Sequence, residues 1–135
     1  WVGNLSTQDF QVFVAAYLAQ LRNALNAQVP IIYFGTGNAH LLPEVKALGF
    51  DVLAFDWRTP LVSTWDQLGV TAVQGNLDPI VLCTDTDAIR SQSKWLLDQV
   101  AGRPGHIFNL GHGIDRRTPI AHVERLISTV RAFEG

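Results

Sequence analysis

Four short apolar runs, IIYF (31–34), DVLAF (51–55), VTAVQ (70–74) and HIFNL (106–110), are separated from one another by segments with helical periodicity. That alternation constrains the chain more than any other feature. Antiparallel neighbours can be joined by a tight turn, whereas a strand, a helix and a further strand build a parallel sheet. The runs are nearly continuous in apolar residues, as in strands covered on both faces. The chain therefore reads as α/β, with about four parallel strands alternating with helices. Its 135 residues, 47 % of them hydrophobic, suffice for one core and are too few for two, so 1–135 is a single domain.

The first helical segment carries Phe10, Phe13, Val14, Tyr17, Leu18, Leu21 and Leu25 at three- and four-residue steps and runs to Asn26. These residues are expected to form one buried face. Ser6 with Asp9 three residues on is a start signal, a capping box with aspartate in the glutamate position. Pro30 breaks the helix. Short helices follow around Leu41 to Leu48 and up to Gly69, then a longer one from about Asp85 to Val100. The last helix should bury Ile120, Val123, Leu126, Ile127, Val130 and Phe133, with Thr118 as N-cap and Pro119 as first helical residue.

The unusual residues follow the C-terminal ends of the strands: GTGNAH (35–40), DWRTP (56–60), GNLDP (75–79) and GHGIDRRTP (111–119). The connections on the other side, LGFD and GRPG, are plain turns. Function at strand C-termini is shared by open α/β sheets and (β/α) barrels. The pattern thus locates a site and leaves open whether the fold is a small open sheet or half a barrel.

Composition narrows the function classes. A formal charge of −2, with no basic run, gives no field to release counterions from nucleic acid. No apolar stretch approaches the ~20 residues of a membrane span. The lone Cys83 excludes an internal disulfide and suits a reducing compartment such as the cytoplasm. The opening WVGNLSTQDF lacks the charged start and apolar middle of a signal peptide. The chain contains no methionine, and it reads as a piece of a longer protein.

Most chemistry-bearing residues have bland readings. His40, His106, His112 and His122 are scattered, so no zinc set or other metal site is expected. His122 belongs on a solvated helix face and His106 at the start of a strand. GTGNAH lacks the third glycine of a dinucleotide fingerprint. Cys83, in IVLCTDTD, reads as core, and Ser63, Ser91 and Ser93 lie on helices without a nearby histidine. Asp56, Asn76, Asp78, Asn109 and His112 remain, all just past strands. For Asp78, before Pro79, a structural role in the loop is preferred. His112 stands between two glycines, which would let its backbone approach a ligand closely, and its imidazole could bind a carboxylate or share a proton.

GNLDP and HIFNLGHGI…TP, with FDW upstream, resemble uroporphyrinogen decarboxylases. The opening WVGNLSTQDF is similar to the family's SWAG.LSPEDF. YFGTGNAHLLPEV, DVLAFDW, VQGNLDP and GRPGHIFNLGHGI follow in the family's order, so the resemblance covers essentially the whole chain. It implies the C-terminal half of a (β/α)8 TIM-type barrel, and a cytoplasmic enzyme of haem biosynthesis. Such enzymes decarboxylate the four acetate side chains of uroporphyrinogen to give coproporphyrinogen, with no metal or organic cofactor. In the usual account a pyrrole ring is protonated, acts as an electron sink, loses CO₂ and is reprotonated.

His112 matches the family's substrate-contacting histidine, which makes it the substrate-binding residue, with Asp56, Asn76 and Asn109 as site-lining candidates. The family's arginine-rich motif, catalytic aspartate and substrate-binding tyrosine belong to the half not present here. No catalytic residue is therefore assigned in this chain, and the chain alone is expected to be inactive. Arg116 and Arg117 stand where acidic or neutral residues are common, and their roles stay open. A related branch, zinc-dependent methylcobamide (corrinoid) methyltransferases, is the second reading; YFGTG and NLGHG lack the cysteine its zinc would need. A third is a non-catalytic module. Half a barrel exposes two strand edges and an apolar interior, so a homodimer or higher self-association is expected.

Overall fold

Each of the four apolar runs forms a strand, shorter than the run that marks it. In the computed structural model, which describes residues 1–25 and 28–133, these are β1 (Ile32–Phe34), β2 (Val52–Ala54), β3 (Val73–Gln74) and β4 (His106–Ile107). All pair in parallel, in the order β1-β2-β3-β4. A bridge from Leu77 to Leu110 carries the last pairing past the strand ends. The helices are α1 (Thr7–Phe10), α2 (Ala16–Ala24), α3 (Leu42–Ala47), α4 (Leu61–Leu68), α5 (Thr86–Val100) and α6 (Ile120–Arg131). A π-helical stretch, Gln11–Ala15, joins α1 to α2, and 3₁₀ turns at Ala39–Leu41 and Pro79–Cys83 lead towards α3 and α5.

Sequential strand order matters. Right-handed crossovers between strands that never reverse direction across the sheet put every helix on the same face. On that face Tyr33, Leu53 and Val73 stand in register and join Phe55, Trp65, Leu82, Ile89 and Leu126 in one core. Trp65 anchors it, donating from Nε1 to the Val70 carbonyl at 2.7 Å under the Arg103 guanidinium. On the other face Ile32 and Phe34 of β1 and Ile107 of β4 are 43 %, 46 % and 41 % exposed, while Val52 and Ala54 of β2 are buried. A doubly wound sheet would bury both faces; a barrel segment leaves its inner face open in this way.

Curvature points the same way. Three strand spacings across a flat sheet come to about 14 Å. Yet His112, past β4, sets its ring centroid 6.3 Å from that of Phe34 at the end of β1. The sheet curls and its loops lean inward. These four parallel strands and their helices are part of a (β/α)8 barrel.

Start and stop signals are mostly where the side chains place them. Ser6 accepts from the Asp9 N–H at 3.0 Å and its hydroxyl donates to the Asp9 carboxylate at 2.8 Å. Asp85 caps α5 through the Ala88 N–H at 2.7 Å, a contact worth about 1 kcal/mol. Gly69 ends α4 with φ 60°, a conformation that costs a side chain more than it costs glycine.

Several expectations need correction. Phe10 is buried and Val14 and Leu18 pack against the core, but Phe13, Tyr17, Leu21 and Leu25 are exposed; Asn26 lies outside the described residues. The apolar stripe is wider than the surface α3 and the sheet offer it. On α6, Ile120 is 79 % exposed and Ile127 is also exposed, so only part of the expected face is buried. Pro119, not Thr118, occupies the N-cap position, and the Thr118 hydroxyl instead lies 3.7 Å from Cys83 Sγ. Cys83 is exposed rather than core, because the turn that carries it rolls it outward. His122 is half-buried, its Nδ1 2.9 Å from the Leu82 carbonyl, and not on a solvated face. No helix among the described residues is long and apolar enough to cross a membrane.

Candidate functional site

The four loops after the strands meet at one end of the sheet. Asp56 is their hub. It is 1 % exposed, yet both carboxylate oxygens are fully engaged. Oδ1 accepts from the Arg58 N–H and the Thr59 hydroxyl, each at 3.1 Å, and Oδ2 accepts from the Gly37 N–H at 2.6 Å and Arg58 Nη1 at 2.9 Å. A carboxylate has about four acceptor positions, so Asp56 has none left for a substrate proton. Its work is to tie the β1 loop to the β2 loop and to hold Arg58.

Asn76 extends the same frame. Its Nδ2 donates to the carbonyls of Asp56 at 2.8 Å and Thr59 at 2.6 Å. Asp78 caps the turn that follows, accepting from the Ile80 N–H at 2.9 Å, the structural role read for it. Asn109 folds back on the Leu110 N–H at 2.8 Å and faces the cleft beside α6.

Three of the histidines are committed to backbone carbonyls: His40 to Leu5, His106 to Gly75 and His122 to Leu82. Burial pushes the His106 imidazole below its ordinary range, and the Gly75 carbonyl opposes that shift only in part. His112 differs. It is exposed, and it stands edge-on to Trp57, with centroids 5.9 Å apart, and to Phe34. Such aromatic pairs contribute about 0.5–1.5 kcal/mol, enough to bias the ring's orientation while its nitrogens stay free.

The glycines around His112 divide in function. A Cβ on Gly111 would overlap the backbone nitrogen of Trp57, so this glycine is needed where the β4 loop lies against the β2 loop. A Cβ on Gly113 would meet nothing, and neither residue has positive φ. The close approach inferred from the sequence is thus between two loops of the chain itself, and it sets His112 over the open face.

His112 lines a cavity of about 610 Å³ with Thr36, Trp57, Arg58, Asp78 and Asp115 among its walls. Asp115 is clamped by Arg117 through Nε at 2.9 Å, Nη2 at 2.8 Å and the backbone N–H at 2.8 Å. The Arg117 side-chain hydrogen bonds hold its carboxyl at about 2, and the Arg117 guanidinium is raised in turn. That assigns Arg117 a loop-closing role. A second cavity of about 720 Å³ opens on the helix side between α4 and α5, sharing Trp57, Arg58 and Asp78 and adding Asn76. The smaller cavity is the better candidate, because all four loops reach it and His112 opens into it.

Of the sequence candidates, then, His112 and Asp78 line the favoured cavity. Asp56 lies beneath it, Asn76 borders the second cavity and Asn109 faces a third cleft. Sequence reasoning missed Trp57 and Arg58. The signal available was an aromatic and a cation placed together, immediately after a strand. No three described His, Cys, Asp or Glu side chains converge as metal ligands would.

Comparison with known proteins places the chain in one family. The family model described as uroporphyrinogen decarboxylase matches residues 1–133. A uroporphyrinogen decarboxylase of Koribacter versatilis is 44 % identical over 138 residues, covering 100 % of this chain and 39 % of the relative. Those of Chloroflexus aggregans and Geotalea daltonii are 45 % and 46 % identical, covering 98 % and 96 % of this chain and again 39 % of each relative. The chain spans about two fifths of the length of the curated relatives it matches, in their C-terminal portion.

Proposed function

This chain belongs to the uroporphyrinogen decarboxylase family, and on that footing we propose that it supplies the C-terminal half-barrel of a cytoplasmic enzyme converting uroporphyrinogen to coproporphyrinogen. The observation that carries the reading is the unpartnered ring of His112, held edge-on to Trp57 at the mouth of a cavity bounded by all four strand loops. A porphyrinogen with acid side chains needs donors fixed where its carboxylates arrive, and donors already held in place bind and orient it with little loss of freedom. His112 donates to a substrate carboxylate and orients the ring. Asp56 and Asn76 act beneath it by fixing the loops, and Asn109 shapes the rim of β4. The proton-transfer groups belong to the remainder of the barrel, so the chain alone does not turn over substrate.

The test is titration of the chain with a porphyrin octacarboxylate, followed by porphyrin absorbance. His112→Asn, which leaves every described hydrogen bond intact, should weaken binding about tenfold, the effect of losing one charge-assisted hydrogen bond. Equal affinity in the two proteins would refute the role given to His112.

A further inference from the structure

We propose that Arg58 is the principal carboxylate-recognising cation of the His112 cavity, a deduction that rests on the functional reading above. Its guanidinium is fixed from two sides. Nη1 donates to the buried Asp56 carboxylate at 2.9 Å, and Cζ lies 4.1 Å from the centre of the Trp57 ring. Trp57 in turn meets the edge of His112, so cation, indole and imidazole form one connected wall. The Arg58 side chain is nevertheless 57 % exposed and lines both the His112 cavity and the one between α4 and α5.

Charge arithmetic within the cavity favours Arg58 over its neighbours. Asp115 is paired with Arg117, and Asp78 would repel an arriving acid. Asp56 opposes the Arg58 charge, but it shares its acceptor positions with two backbone N–H groups and a hydroxyl, all neutral. One guanidinium hydrogen bond to Asp56 leaves the other N–H donors of Arg58 without partners among the described residues. A planar guanidinium can present two parallel donors to a carboxylate, and one already locked by stacking and an ion pair loses little freedom in doing so. Asp56 is the positioning residue and Arg58 the one that touches the acid.

The experiment titrates the chain and its variants with the porphyrin octacarboxylate and with a porphyrin of the same ring carrying neutral, water-soluble side chains. Arg58→Gln should weaken the octacarboxylate about tenfold and leave the neutral porphyrin unchanged, and should flatten the salt dependence of binding. Arg58→Lys should recover part of the loss, since lysine restores the charge without the fork or the stacked plane. Equal octacarboxylate affinity in Arg58→Gln would overturn the proposal, as would an equal loss for both ligands, the mark of a merely structural role. If His112→Asn weakens binding and Arg58→Gln does not, the assignment of Arg58 fails alone; if the unaltered chain binds no octacarboxylate, the functional reading fails with it.

Discussion

His106 and His112 show how far a residue's neighbours decide its chemistry. Both lie near the last strand, yet one is tied to the Gly75 carbonyl and the other has no hydrogen-bond partner among the described residues. Burial lowers the His106 pKa from its ordinary value near 6.5. The unfolded chain therefore binds a proton that the folded chain refuses, and stability rises with pH across that interval. The His106 contribution is complete above about pH 6.5 and is lost as the pH falls from there towards the folded pKa. Urea denaturation at pH 7.5 and 5.5 should show a loss of stability on acidification that is smaller in His106→Gln. Parallel losses in the two proteins would count against this origin.

What the residues disclosed in advance follows the same logic. His112 could be singled out because its flanking glycines are visible in the sequence. The purpose of Gly111, a close approach to Trp57, depends on a contact between loops 54 positions apart, which no local pattern carries. The place of Asp56 after a strand is visible in the sequence, but its engagement by the Gly37 N–H, 19 positions away, is not.

At the scale of elements, the strands were legible because their apolar runs are local, and the caps at Ser6 and Asp85 because they act within one turn. Helix faces were less so. Periodicity states that a face is apolar and says nothing of how much surface is available to cover it. Phe13 and Tyr17 therefore remain 65 % and 68 % exposed on a segment whose Phe10 is fully buried. Together with Ile32, Phe34 and Ile107 and with the edges of β1 and β4, which are unpaired among the described residues, they form the kind of exposed apolar surface that marks an association site. Self-association of the chain over these surfaces is proposed, and sedimentation should show a species heavier than the monomer at micromolar concentration. A single well-behaved monomer would argue against it.

For the whole molecule, strand order and curvature did what the sequence pattern could not, separating a barrel segment from an open sheet. Both follow from pairings between strands about twenty or more residues apart. We propose that this segment, with its rim of His112, Arg58 and Trp57, is the C-terminal part of a decarboxylase barrel. Its most direct test is a chimera in which the chain replaces the matching segment of the Koribacter versatilis relative, which is 44 % identical to it. The folded chimera should convert uroporphyrinogen to coproporphyrinogen, and at least tenfold more slowly when it carries His112→Asn. A folded chimera with no turnover would contradict the account.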